Sequence, residues 1–268
     1  MSESRAGDYA LRPSEAEVER YAMMARAARE SEADLWAAAG IGAGASVADV
    51  GCGPGALFPA LVDAVGADGK VAGVDGDPAA VALSQALVAA NGWPNVTAQV
   101  GRADATGLPA DSFDVVMMRH VLAHNGPTEQ AIVDHLARLV RPGGHVYLVD
   151  VFGEAIAVVP SDPDLDELDA TYRRFHAARG NDLRTGLRLE TLLTRAGLEV
   201  VAYRGWFNIV KPQGAMRPPS WAACEAMVAA GFATQDDVSR WDAALTRLMA
   251  QQPTVFASLF GAIGRRPG

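Results

Sequence analysis

The chain has 268 residues, half of them hydrophobic and 21% charged, enough apolar material to cover both faces of a sheet around one large core and too much for a disordered chain. Its formal net charge is −9 and no dense Lys/Arg run interrupts the acidic balance, which excludes a phosphate backbone as the expected partner. No segment approaches the ~20 consecutive apolar residues of a membrane span.

Ser14-Glu15-Ala16-Glu17 has the form of a capping box, and Val18, Tyr21, Ala22, Ala25 and Ala28 follow at helical spacing, so an amphipathic helix opens the chain. A second short helix is expected from Ser31 to Gly40, with Gly40 as its cap and Leu35 and Trp36 as anchors. The period then changes. Short β-rich runs occupy 46–50, 70–75, 96–100, 114–118 and 145–151, mostly without polar alternation, as in strands covered on both faces. Helices are expected over 56–65, where Pro59 is tolerated in the first turn, from Asp77-Pro78 to Asn91-Gly92, and from Thr128 until Arg141-Pro142-Gly143-Gly144 stops it. Alternating β and α elements at this spacing imply a parallel sheet with right-handed crossovers.

After Val151 the alternation lapses. An inserted helix is expected over 161–179, its acids early (Asp162, Asp164, Asp166, Glu167) and its arginines late (Arg173, Arg174, Arg179), with Leu165, Leu168, Tyr172 and Phe175 as the apolar stripe. A helix over 187–196 capped by Gly197, a strand over 199–205, helices over 220–230 and 234–250, and a last strand over 255–263 complete the pattern. Two cysteines, Cys52 and Cys224, support neither a disulfide framework nor a cysteine-rich zinc site. No His/Asp/Glu cluster has metal-ligand spacing, so the expected chemistry is metal-independent. The first ten residues lack the apolar core of a signal peptide, and a cytoplasmic location is expected.

The most informative segment is Asp49-Val50-Gly51-Cys52-Gly53-Pro54-Gly55, which joins a strand to a helix at the edge where open α/β sheets bind ligands. Gly51, Gly53 and Ala56 also satisfy the relaxed dinucleotide pattern, so a nicotinamide or flavin enzyme is a competing reading. Asp75, ending the second strand, suits a carboxylate that accepts from ribose hydroxyls in either cofactor, whereas Asp77 reads as a helix cap. Three features favour a cationic ligand without pyrophosphate. Asp49 lies at the strand end, where it would attract an ammonium group and repel a pyrophosphate. The Gly51-Gly53-Gly55 triplet closes one residue earlier than the dinucleotide form. Asp104, after the third strand, is placed to accept from an adenine amine.

With Val-Ala-Asp-Val-Gly-Cys-Gly-Pro-Gly at 47–55, Val-Ala-Gly-Val-Asp at 71–75, Arg-Ala-Asp-Ala at 102–105, Phe-Asp-Val-Val at 113–116 and Arg-Pro-Gly-Gly-His-Val at 141–146, the chain resembles the class I S-adenosylmethionine-dependent methyltransferases. It is most similar to the small-molecule branch that includes ubiquinone and menaquinone biosynthesis enzymes. The resemblance implies an α/β, Rossmann-like seven-stranded sheet of order 3-2-1-4-5-7-6 with the last strand antiparallel. It implies N-terminal helices (1–45) closing over the cofactor, and a methyltransferase domain (46–268) whose helical insertions at 153–186 and 212–252 form a lid. By the same likeness Asp49, Gly51, Gly53 and Gly55 surround the amino-acid part of S-adenosylmethionine, Asp75 and Gly76 the ribose, and Asp104 and Ala105 the adenine. Arg119 offers its backbone carbonyl to the methionyl amine, and Tyr21 lies on the closing helix.

Methyl transfer is an in-line displacement in which alignment does most of the work. An acceptor that must lose a proton needs a base near pKa 6.5, and His120, directly after the fourth strand, is the leading candidate. His124 matches a histidine common in the related Leu-x-His motif and is the second, with a structural hydrogen bond as its competing role. His135 and His145 read as structural or solvated. Phe152, Tyr172, His176 and Trp206, with Trp221, are candidate walls of the acceptor pocket. The expected partner is a small-molecule methyl acceptor, with no nucleic acid, and a homodimer is the assembly considered. The expected function is methyl transfer to O, N or C of a metabolite. The alternative is a binding protein or cyclase that uses the cofactor structurally.

Overall fold

The computed structural model describes residues 15–212 and 217–268, with side chains from residue 21 onward. The serine of the expected capping box, Ser14, lies outside the described residues. Helix α1 (Glu15–Ser31) runs almost directly into α2 (Ala33–Ala39), which ends at Gly40 in the left-handed conformation (φ +87°). Leu35 and Trp36 are the buried anchors of α2.

Next come β1 (Ser46–Val50), α3 (Phe58–Val65), β2 (Lys70–Asp75), α4 (Pro78–Asn91), β3 (Val96–Val100) and β4 (Phe113–Arg119). Proline stands in the first turn of both α3 and α4, where an amide hydrogen has no helical partner to lose. The Asp77 side chain caps α4 by accepting from Ala79 N, and Gly92 (φ +62°) closes it. Helix α5 (Glu129–Leu139) leads into β5 (Val140–Val151), and β6 (Ala157–Val159), α6 (Pro163–Ala178), α7 (Leu189–Arg195) and β7 (Glu199–Val210) follow. Short helices α8 (Pro219–Ala222) and α9 (Cys224–Ala229), then α10 (Gln235–Ala250), precede β8 (Thr254–Arg265).

The strands form one sheet of order β3-β2-β1-β4-β5-β8, with β7 on the far side of β8. β1 to β5 are mutually parallel, and β8 runs antiparallel to both β5 and β7. This is the expected order, with one strand added. β6 extends the β5 side of β8, pairing Ala157–Val159 with Thr254–Phe256 within the 153–186 insertion, ahead of its expected helix, where no strand was expected. Three residues carry no readable period, so this strand is defined by its partner. Two further differences arise the same way. β5 begins at Val140 because Arg141–Gly144 bulges out between Phe113↔Val140 and Val115↔His145, where Gly143 N donates to Arg266 O. β7 continues to Val210, five residues past the expected end, because β8 supplies a partner along its whole length. The helix expected over 220–230 is broken at Ala223.

Alternate strand residues point to opposite faces, and each face has its own helices. Val47, Met117, Tyr147 and Val149 pack with Trp36, Phe58 and Leu61. Ala48, Val50, Met118 and Leu148 pack with Ile132, Leu136, Leu189 and Leu193. A third, smaller core joins Leu168, Tyr172 and Phe175 of α6 to Met227 and Trp241 of α9 and α10. The early acids of α6 are used here: Arg240 pairs with Asp164 and Glu167, and Arg247 with Asp162 and Asp164.

The N-terminal helices are tied to the sheet by a charge pair inside the protein. Glu32, at the α1–α2 junction and 0% exposed, accepts from Arg119 Nη2 (2.5 Å), Arg119 Nε (3.2 Å) and Tyr147 Oη (2.7 Å). The Arg119 side chain is 8% exposed. Removing one partner leaves the other charge desolvated, so Glu32→Ala is expected to cost about 3–5 kcal/mol in urea-unfolding free energy. A loss below about 1 kcal/mol, the scale of a surface pair, would show that the helices are held by apolar packing alone.

Candidate functional site

The carboxyl ends of β1, β2 and β4 bring Asp49, Asp75 and Arg119 to one edge of the sheet. The connection after β1 turns through Gly51, Gly53 and Gly55 at φ +83°, +54° and +79°. All three need glycine for that conformation, but their surroundings differ. A Cβ on Gly51 would stand 2.3 Å from Val121 Cγ2, and one on Gly55 2.8 Å from the Phe58 ring, so both are also crowded by the protein itself. A Cβ on Gly53 would meet nothing within 4 Å. Gly53 is thus the point of the loop that faces open space, where a ligand can approach the backbone.

Asp75 holds this loop in place. Its Oδ2 accepts from Gly53 N (2.8 Å) and its Oδ1 from Asp77 N (2.9 Å), one carboxylate bracing both turns. Gly76 lies between them, with only Gly101 O near an added Cβ, at 3.9 Å. Burial raises the Asp75 carboxyl above its ordinary value, and the amides at Asp77 and Gly53 oppose the rise. Asp49 is 2% exposed and raised to about 7, chiefly by burial, with Arg119 opposing and Asp75 adding to the rise. A buried carboxyl beside an open loop is a fitting counter-charge for an ammonium group. Asp104 is paired with exposed Arg102 (2.8 and 2.9 Å), which holds its carboxyl below the usual range, and Ala105 next to it is exposed.

Arg119 stands at the end of β4 as expected, but its side chain turns inward to Glu32. Sequence reasoning missed both Glu32 and Tyr147, because a buried partner 87 or 115 residues away leaves no local period. Asp150, also missed, is buried at the end of β5 and accepts from Ala123 N (3.1 Å) and Val151 N (2.8 Å). Burial pushes it up to about 6 against those amides. It thereby fixes the turn that carries His120 and His124. His120 is half-buried, in the left-handed region (φ +58°), with its amide donating to Val149 O (2.8 Å). A non-glycine residue in that region is uncommon, and such strain clusters at functional sites.

The structure brings His124, Tyr172 and His176 together, with ring centroids 4.9 Å apart for His124–His176 and 4.4 Å for Tyr172–His176. Gly126 N donates to Asn181 Oδ1 (3.3 Å), so Asn181 Nδ2 is the group that donates to His176 Nδ1 (3.0 Å). His176 therefore carries its hydrogen on Nε2, which is buried with no hydrogen-bond partner among the described residues. Burial, with Arg179 adding, lowers its pKa to about 4, so the ring is neutral at pH 7. The remaining candidates lie elsewhere. Tyr21 is half-buried on α1. Phe152 is half-buried and its backbone is tethered to Ser258. Trp206 packs on the main core under the Arg204 guanidinium, 5.3 Å away. A depression lined by Asp134, Arg138, Arg195 and Arg266 lies at the opposite sheet edge, beside the end of β8, far from these groups in the topology.

A sequence profile described as methyltransferase domain matches residues 47–144. The chain is 41% identical over 157 residues to the aklanonic acid methyltransferase of Streptomyces sp. (strain C5), covering 52% of this chain and 71% of that one. It is 31% identical over 158 residues to the arsenite methyltransferase of Halobacterium salinarum, covering 59% of this chain and 38% of that one. The chain therefore spans well under half of some curated relatives it matches. The crystal structure of the YcgJ protein of Bacillus subtilis superposes with a TM-score of 0.59 at 19% identity, covering 90% of this chain and 99% of that one.

The buried carboxyl at position 49 makes a test that needs no ligand. Its folded-state pKa, about 7, lies above the ordinary 3.8, so its protonated form stabilises the fold at low pH and that stabilisation is lost as pH rises toward 7. Asp49→Asn is expected to exceed the unmodified protein in unfolding free energy at pH 8, by up to about 4 kcal/mol, with the gap narrowing to about 1.7 kcal/mol at pH 5 and closing only below about pH 4. Equal stabilities at pH 8 would mean that Asp49 ionises at no cost.

Proposed function

The chain belongs to the class I S-adenosylmethionine-dependent methyltransferases, and from that premise we propose that it methylates O, N or C of a small-molecule metabolite. The observation that carries this reading is the meeting, at one sheet edge, of the buried carboxyl of Asp49, the open backbone of Gly53 and the bracing carboxylate of Asp75. When bound, S-adenosylmethionine supplies an electrophilic methyl group on a sulfonium. Asp49 receives the ammonium of its methionyl part, and Gly53 lies against that part while Gly51 and Gly55 hold the turn. The Arg119 carbonyl faces the amine while its side chain stays with Glu32. Asp75 has lone pairs beyond those used by Gly53 and Asp77, and it accepts from the ribose hydroxyls next to Gly76. Asp104 and Ala105 meet the adenine. The N-terminal helices, with Tyr21, close over the cofactor.

On the acceptor side, His120 takes the proton, and His124 lies on the same Asp150-braced turn. His176 is unsuited to that task, because a ring with a pKa of about 4 is a weak base at neutral pH. Its buried Nε2–H suits the recognition of an acceptor oxygen instead. Tyr172 contributes a wall beside it, with Phe152 and Trp206 as outlying contacts, and α6 with α8 to α10 forms the lid. The relatives' names range from arsenite to aklanonic acid. Cys52 and Cys224 are free, buried and in separate cores, so they offer no thiol pair for arsenite, which favours an organic acceptor. Free cysteines also suit a reducing cytoplasm.

Incubation with S-adenosylmethionine and a panel of phenols, carboxylic acids, amines and quinols is expected to release S-adenosylhomocysteine with at least one of them. Tight cofactor binding without turnover across the panel would favour structural use of the cofactor instead. Asp75→Ala is expected to weaken S-adenosylmethionine binding by about tenfold or more, since it removes the ribose acceptor and the brace on Gly53. Unchanged affinity by calorimetry would refute that role. His120→Ala is expected to lower kcat by about 100-fold with little change in cofactor affinity. A rate equal to that of the unmodified enzyme would show that the acceptor arrives already deprotonated.

A further inference from the structure

The turn after β3 that carries Asp104 and Ala105 is gripped by a histidine of α5, which packs on the same side of the sheet as Ala103 and Leu108. Thr106, buried directly after Ala105, lies against His135: its backbone N is 3.1 Å and its Oγ1 2.8 Å from Nε2. A backbone N–H can only donate, so Nε2 presents a lone pair and the ring hydrogen sits on Nδ1. Arg138 Nη2, 3.4 Å from Nδ1, then meets an N–H and makes no hydrogen bond there. Thr106 Oγ1 accepts from Leu108 N (3.2 Å), which directs its own hydrogen to Nε2. On the far side Thr106 O accepts from Gln99 Nε2 (2.8 Å), and Ala105 N donates to Arg102 O (3.0 Å).

We propose that His135 is a positioning residue for the adenine end of the cofactor, holding the Asp104-Ala105 turn in place through Thr106 by means of an unprotonated Nε2. This rests on the reading that the turn meets the adenine. The grip has a built-in proton dependence. Protonation would replace the lone pair by an N–H facing the Thr106 N–H, breaking the backbone hydrogen bond and leaving only Thr106 Oγ1, with its own hydrogen turned away, as a partner, so the grip loosens. Burial and Arg138, on the same helix, oppose protonation, and Asp104, on the turn with its partner Arg102, favours it. Asp134, the neighbour on α5, is engaged by Gln130 Nε2 (2.8 Å). The ring is half-buried and its pKa is lowered, so release belongs to acid pH.

The test is S-adenosylhomocysteine binding by calorimetry at pH 8 and pH 5 to the full chain, His135→Gln and His135→Leu. Glutamine offers an oxygen that accepts from Thr106 and does not titrate, whereas leucine offers none. Asp49, Asp75 and Asp150 also titrate with raised pKa values, so the difference between the unmodified chain and His135→Gln isolates His135. At pH 8 His135→Gln is expected within about twofold of the unmodified affinity and His135→Leu about three- to tenfold weaker. Between pH 8 and pH 5 the unmodified chain is expected to lose measurably more affinity than His135→Gln. Equal losses, or an unaffected leucine variant at pH 8, would overturn the proposal. Long-range ¹⁵N–¹H correlation of the unmodified chain reads the tautomer without a variant, and a hydrogen on Nε2 at pH 8 would overturn it as well. Amide signals of Ala105 and Thr106 that ignore added S-adenosylhomocysteine would bring down the adenine reading itself. Responsive signals with an unaffected leucine variant would bring down the role of His135 alone.

Discussion

Glu32 and Arg119 form an ion pair that water hardly reaches, with Tyr147 sharing the carboxylate, and the carboxyl edge of the sheet is organised around it. Two charges out of water are tolerable only when their hydrogen bonds are satisfied, and here three donors converge on one carboxylate. The geometry fixes where the chain between α1 and α2 can sit. It also leaves a net positive influence beside Asp49, whose buried carboxyl would otherwise be harder still to ionise. The N-terminal helices, the end of β4 and the middle of β5 are thereby one unit. Any movement of those helices over a bound cofactor has to carry this pair along or pivot about it.

Carboxylates brace this edge in two other places. Asp75 ties the glycine loop to the start of α4, and Asp150 ties the turn after β4 to the end of β5. In each case an acid at a strand end collects backbone amides from loops that the sheet brings near. A loop carrying function is then held by the scaffold without an element of its own. The three loop glycines divide their work accordingly: Gly51 and Gly55 are crowded by Val121 and Phe58, and Gly53 faces open space.

The helical layer around α6 is built differently. The helices α6, α9 and α10 have their own small core and are strapped by Arg240 and Arg247 to the acids of α6. His124, Tyr172 and His176 meet where this layer approaches the turn after β4. Asn181 sets the tautomer of His176 from the loop after α6, so the orientation of a polar group in this cluster depends on a residue in neither core.

By itself the sequence determined the elements with a strong local signal. The strand-loop-helix at 46–65, the proline- and aspartate-capped α4, the strands up to β5 and the placing of Asp49 and Asp75 at strand ends were legible because period, caps and glycine spacing act over a few residues. Only the tertiary structure decided the rest. It showed β6, the length of β7 and the bulge at Arg141–Gly144, all of which depend on β8 as partner. It turned the Arg119 side chain inward to Glu32, gave Asp150 its bracing role, and set His135 of α5 against Thr106 in the loop after β3. The physical reason is common to all of them: a hydrogen bond or ion pair between residues tens of positions apart leaves no periodic trace, and exists only once the chain has folded.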